Sequence, residues 1–230
     1  MLRALAAVLL AATPAWGGGV LDIVTTSTDL KALVEAVGGE RVSVESLAPA
    51  LHEPHTVDVR LGQLARLKSA ALLVRVGLDH EPWLGRVLAT VNDPRFAPGG
   101  PADLDVSRGI DLLQAETPRI KSDQGAHVHG FGNPHYGLDP ANARPMTQTI
   151  LDRLTLLSPG AREAFTRNRE RFLERLDARM GRWNEMLAPY RGARIVTLIT
   201  SVGGDPDASG YVELFELDVR RLADAFAAAR

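Results

Sequence analysis

The sequence predicts an α/β fold built on a parallel sheet. Short strand-like runs alternate with longer helical patterns along its first half, and the loops between them are short, which is the pattern of βαβ units. A single long helical stripe then follows in the second half, long enough to cross two lobes.

The first 19 residues stand apart from that fold. Arg3 is followed by the unbroken Ala/Leu/Val run Ala4 to Ala12, then the break Thr13–Pro14 and the small-x-small site Ala15–Trp16–Gly17. This reads as a secretory leader. The apolar run is too short to span a bilayer. The chain has no Cys, so no disulfide is expected after export, and the sequence near the cleavage point argues against a lipid anchor. About 210 residues remain, enough for one or two lobes with their own core. The net charge of −2 comes from interspersed acidic and basic residues, which argues against a nucleic-acid partner. The Arg-rich stretch Arg167–Arg182 alternates with Glu and Asp and reads as a solvated helix face with ion pairs.

Val20–Thr25 is the first predicted strand. Ser27/Thr28–Asp29 opens a helix whose apolar positions are Leu30, Leu33, Val34 and Val37, closed by Gly38–Gly39. Arg41–Leu47 is a second strand with Val42 and Val44 facing inward. A helix is predicted over 57–69 from Leu61, Leu64 and Leu67, and a buried strand over Ala71–Val76. Pro82 suits the first turn of the next helix, with Trp83, Leu84, Val87 and Leu88 as its stripe. Residues 91–103 are a Pro/Gly-rich loop before a short strand near Leu104–Val106. Residues 117–137 are a polar loop. Asp139–Pro140 starts a helix that runs to Leu157, where Ser158–Pro159–Gly160 interrupts it. Phe165, Phe172, Leu176, Met180, Trp183 and Leu187 then mark one helix over 160–187, about 40 Å long. A strand Arg194–Ile199, a loop Ser201–Gly210 and a helix Tyr211–Ala228 complete the chain.

All six histidines, His52, His55, His80, His127, His129 and His135, precede residue 136. Clustered His without Cys points to a metal binder, since neutral imidazole is the commonest ligand for zinc and its neighbours. His55 follows the second strand, where ligands of open α/β sheets bind. His135 lies between Pro134 and the Asp139–Pro140 helix start, a stiff setting for a preformed ligand. His127 and His129 sit among Gly125, Gly130 and Gly132 and suit loose capture of an ion on a mobile loop.

These motifs resemble one family. Pro54–His55–Thr56, the strand-turn Val74–Arg75–Val76–Gly77–Leu78–Asp79–His80–Glu81–Pro82–Trp83–Leu84, and Gly132–Asn133–Pro134–His135–Tyr136–Gly137–Leu138–Asp139–Pro140–Ala141–Asn142–Ala143 are similar to the zinc/manganese solute-binding proteins of ABC importers, as is the tail Ser201–Asp205 with Tyr211–Phe215. The resemblance implies two α/β lobes joined by a rigid helix, a C-clamp-type arrangement with metal between the lobes. It implies His55 and His135 as first-lobe ligands and likens His127 and His129 to the His-containing loop of zinc-type members. It gives His80 no role as a primary ligand. The implied organisation is a leader at 1–19, a metal-binding α/β lobe at 20–139, linking helices at 140–190 and a remnant of the second lobe at 191–230. Arg194–Thr197 begins like one family strand and Leu198–Gly204 continues like the last one, so two strands read as fused and about two βα units of roughly 30 residues each are missing. The third ligand goes with them. Ser201 falls at the fourth position, with Asp205 and Asp207 as nearby substitutes.

The functional expectation is a periplasmic metal-capturing protein, monomeric, serving an importer permease in the inner membrane, with zinc as cargo and manganese as the alternative. Competing expectations are a metal-binding adhesin or interaction protein and a shortened copy without function. A zinc hydrolase is disfavoured, because the sequence has no His–Glu–x–x–His helix and no carboxylate set beside the histidine motifs as a general base.

Overall fold

A computed structural model of the chain describes residues 19–50, 55–113, 133–193 and 201–228. The predicted leader as far as residue 18, His52, His127, His129 and the predicted strand Arg194–Ile199 lie outside these residues. Four parallel strands, β1 (Leu21–Thr25), β2 (Val42–Ser46), β3 (Leu72–Arg75) and β4 (Asp103–Asp105), form a sheet in the order β2-β1-β3-β4. Among the described residues there is no second sheet.

The connections follow the expected alternation. Helix α1 (Thr28–Gly38) joins β1 to β2, α2 (Leu61–Ser69) joins β2 to β3, and α3 (Leu84–Val91) joins β3 to β4. The chain steps one way from β1 to β2 and the other way from β2 through β3 to β4. Right-handed crossovers therefore put α1 on one face and α2 and α3 on the other. Side chains alternate across the strands to match. Ile23, Leu72 and Val74 join α1 in one core, while Val24 and Leu73 join Leu67, Trp83 and Val87 in the other. Every residue of β2 is half-buried, so Val42 and Val44 turn toward the core only in part, as befits an edge strand.

Local chemistry sets the element ends. Ser27 accepts the Leu30 N–H at the start of α1, and Gly39 ends it at φ +55°, a conformation glycine adopts at little cost. The predicted helix over 57–69 is shorter than expected. Residues 57–60 lie outside the helix, with Arg60 extended, and the helix begins where Gln63 Oε1 accepts the Arg60 N–H at 3.0 Å. The β-branched Val57 and Val59 lie outside it, in keeping with their weak helix preference.

The second half adds α4 (Ala143–Leu157), α5 (Arg162–Leu187) and α6 (Tyr211–Ala228). Phe165, Phe172, Leu176 and Trp183 of α5 are buried in the same core as Leu30 and Val34 of α1 and Ile150 and Leu154 of α4. The arginines of α5 do more than face solvent. Arg175 pairs with Glu213 and Arg179 with Glu216 at 2.9 Å, and Asp177 of the same helix takes Arg144 of α4. Glu216 also accepts the Trp183 indole N–H at 2.9 Å, so it pins α6 to α5. Asp29 at the start of α1 accepts the Val202 N–H at 2.8 Å and ties the 201–208 turn to the sheet.

A groove of about 260 Å³ between α5 and α6 is lined by Trp183, Phe215 and Leu222, with Asp218 in its wall. Burial pushes the Asp218 carboxyl from its ordinary 3.8 up to about 6, with Asp29 adding repulsion and Arg221 opposing. A raised carboxylate pKa means the folded state binds more protons than the unfolded chain. The resulting penalty is absent below the unfolded value, grows between about pH 4 and pH 6, and is full above that. Asp218→Asn is expected to raise the melting temperature at pH 7 and to leave it nearly unchanged at pH 4. Melts at both values check this, and an equal gain at both would contradict the assignment.

Candidate metal centre

The carboxyl ends of β1 and β3 mark the point where the strand order reverses, the usual ligand crevice of an open α/β sheet. Loops after three strands each bring one imidazole there. His55 follows β2, His80 follows β3 and His135 follows β4. The ring centroids lie 5.0 Å (His55–His80), 5.4 Å (His80–His135) and 5.8 Å (His55–His135) apart, with planes 69°, 83° and 87° from parallel. One nitrogen from each ring lies within 4.8 Å of the others. Tetrahedral zinc with Zn–N near 2.0–2.1 Å spaces its nitrogens about 3.3 Å apart, so closing on an ion asks each ring to move by less than about 1 Å. His55 is buried, His80 half-buried and His135 exposed, so the cluster opens to solvent on the His135 side.

The His55 ring is oriented by its second nitrogen, and His135 is placed through its backbone. His55 Nδ1 lies 2.8 Å from the His80 carbonyl oxygen. A carbonyl only accepts, so Nδ1 carries the proton and Nε2 carries the lone pair for a metal. Asn133 Oδ1 accepts the backbone N–H of His135 at 3.0 Å. Asp139 caps the following turn through the Ala141 N–H.

The turn between β3 and α3 is the most constrained backbone of the site. Gly77, Leu78 and Asp79 have φ of +82°, +55° and +58°, and left-handed non-glycine residues each cost about 1–2 kcal/mol. A side chain at Gly77 would put its Cβ 2.3 Å from the Asp105 carboxylate. Glu81 holds this turn from inside. Its Oε1 accepts from Thr26 Oγ1 at 2.6 Å and from the Val76 N–H at 2.7 Å, and its Oε2 accepts the Gly77 N–H at 3.1 Å. Burial pushes the Glu81 carboxyl up, while these donors and Arg75 pull it down. Arg75 in turn is bidentate to Asp103 and paired with Asp105. The Val76 carbonyl accepts the Tyr136 hydroxyl at 2.7 Å, and burial keeps that phenol a donor by raising its pKa. Val76 thus links the turn bearing His80 to the turn bearing His135.

Of the metal residues expected from sequence, His55 and His135 lie together in this cluster. His127 and His129 are outside the described residues. Asp205 is engaged elsewhere: the Asp207 N–H at 2.9 Å and the Arg221 guanidinium at 2.7 Å occupy its carboxylate and hold its pKa below the usual range. It is not part of the cluster. His80, given no ligand role from sequence, lies within it. The signal that could have found it is the rule that singled out His55, position just beyond the carboxyl end of a strand.

Residues 23–225 match the family described as zinc-uptake complex component A, periplasmic. The high-affinity zinc uptake system protein ZnuA of Yersinia pestis is 27% identical over 211 residues, covering 83% of this chain and 61% of its own length. The manganese-binding lipoprotein MntA of Halalkalibacterium halodurans is 30% identical over 156 residues, covering 68% of this chain and 46% of its own length. A crystal structure of ZnuA superposes with a TM-score of 0.59 at 27% identity, covering 74% of this chain and 61% of that one. A zinc-bound deletion mutant of ZnuA gives 0.60 at 26% identity, covering 74% and 59%. The chain therefore spans less than two thirds of the length of these relatives.

Because Val76 couples two of the histidine turns, Tyr136→Phe is expected to destabilise the metal-free protein by about 1 kcal/mol, the net worth of one hydrogen bond. It is also expected to weaken zinc binding about tenfold, at the low end for loss of an outer-shell partner. Denaturant unfolding and chelator competition measure the two effects, and unchanged zinc affinity would show that the turns do not need this link.

Proposed function

The chain belongs to the periplasmic zinc-uptake complex component A family, and from that premise we propose that it captures a divalent transition metal in the periplasm and passes it to the permease of an ABC importer. The observation that supports this reading is the convergence of His55, His80 and His135, with one ring nitrogen from each inside a 4.8 Å group. Three neutral nitrogens without a carboxylate suit zinc better than manganese, because imidazole is a borderline ligand and the Irving–Williams order places zinc above manganese. Manganese is the alternative cargo, and the manganese-binding relative keeps it in view.

The role is capture and release, with no covalent step. His55 is preset by the His80 carbonyl, so little ring order is lost when the ion arrives. His135 is exposed and makes the first contact with an ion from solvent. His127 and His129, two imidazoles in a Gly-containing segment, raise the local chance of capture. Export by the leader at 1–19 brings the chain to the compartment where such a permease is reached, and the protein works as a monomer.

His135→Ala is expected to weaken zinc binding by at least about a hundredfold, since loss of a direct ligand exceeds the effect of losing an outer-shell partner. The folded state should survive, because the ring is exposed. Isothermal calorimetry with zinc on the full chain tests this. Equal affinity in the parent and the variant would remove His135 from the site.

A further inference from the structure

We infer that His80 is a direct metal ligand and that, with it, the sheet lobe alone holds the ion, so that capture requires no donor from the polypeptide beyond α4. This deepens the metal-capture reading above and rests on it.

Two independent features point to His80. The first is geometry. Its ring stands 5.0 Å and 5.4 Å from the other two, nearly perpendicular to the His135 ring, so three nitrogens converge from three directions as three corners of a tetrahedron require. The second is the backbone beneath it. Leu78 and Asp79 are both left-handed, a conformation disfavoured for side chains of their type. Glu81 is buried and binds three donors around this turn. The strain and the buried carboxylate together fix where residue 80 stands. The same residue acts twice, because its carbonyl orients His55 while its ring joins the cluster.

The segment beyond α4 offers little to compete. No His or Cys follows His135. Residues 194–200 contain only Arg, Ile, Val, Thr and Leu. Asp205 is held by Arg221, Glu213 lies beside Arg175, and Glu216 is shared by Arg179, Arg220 and Trp183. A donor set of three imidazoles leaves a fourth position for water, a coordination that zinc accepts and that exchanges readily. The cargo class is therefore a borderline divalent ion, zinc and its cobalt, nickel and copper neighbours, which arrives and leaves without lobe closure.

The test is zinc competition with a chromophoric chelator, using the full chain, His80→Ala and His80→Asn, together with the visible spectrum of each protein loaded with cobalt. The carbonyl that orients His55 belongs to the backbone, so these substitutions remove the ring and keep that hydrogen bond. Both variants are expected to bind zinc at least about a hundredfold more weakly than the parent. Their cobalt bands should lose the intensity of a four-coordinate site, while metal-free melting stays close to the parent. Zinc affinity within about threefold of the parent, with an unchanged cobalt spectrum, would overturn the role of His80 and leave metal capture standing. Failure of the unsubstituted chain to take up zinc or cobalt would overturn metal capture itself, and this inference with it.

Discussion

The site depends on one buried carboxylate. Glu81 reaches back under the β3–α3 turn and satisfies the Val76 and Gly77 N–H groups and the Thr26 hydroxyl. Each of these donors, left unpaired in the interior, would cost about 1–3 kcal/mol. With them satisfied, three consecutive left-handed residues persist, and the turn presents the His80 ring, the His80 carbonyl and the Val76 carbonyl at fixed places. The first is a ring of the cluster, the second orients His55, and the third anchors Tyr136 beside His135. All three imidazoles are therefore referred to six residues of chain.

Sheet topology explains why such a small turn can do this. Strand order reverses between β1 and β3, so the loops leaving β2, β3 and β4 meet above the sheet while the helices occupy its two faces. Thr26, at the end of β1, supplies the fourth side of the same crevice through Glu81. Arg75, Asp103 and Asp105 close the network below it. The loops bearing His80 and His135 leave β3 and β4, whose residues are mostly buried, and the His55 loop leaves the half-buried edge strand β2, while the His135 side remains open to solvent.

Much of this was legible in the sequence. Periodicity marked α1, α5 and α6 within two or three residues, and strand-like runs marked β1 to β4 with one-residue shifts. His55 stood out by its place just beyond a strand, and His135 because proline, asparagine and aspartate stiffen the backbone around it. His80 had no such motif. Its importance arises from a long-range contact, the approach of the β3 turn to the β2 loop, and from left-handed Leu78 and Asp79, which no propensity would suggest. The short non-helical piece before α2 was also hidden, because it is set by Gln63, whose amide bonds Arg60 on one side and the Ser46 and Leu47 carbonyls on the other. Asp205 looked available in a Gly/Asp/Pro loop, but Arg221, 16 residues on along α6, takes its carboxylate.

The central claim is that one lobe of this chain builds a three-imidazole metal centre. X-ray absorption at the zinc edge of the zinc-loaded, unsubstituted protein tests it most directly, because imidazole rings leave a distinct multiple-scattering pattern. The account predicts three imidazoles with Zn–N near 2.0–2.1 Å and one light oxygen neighbour. A spectrum dominated by carboxylate oxygen, with one imidazole or none, would contradict it.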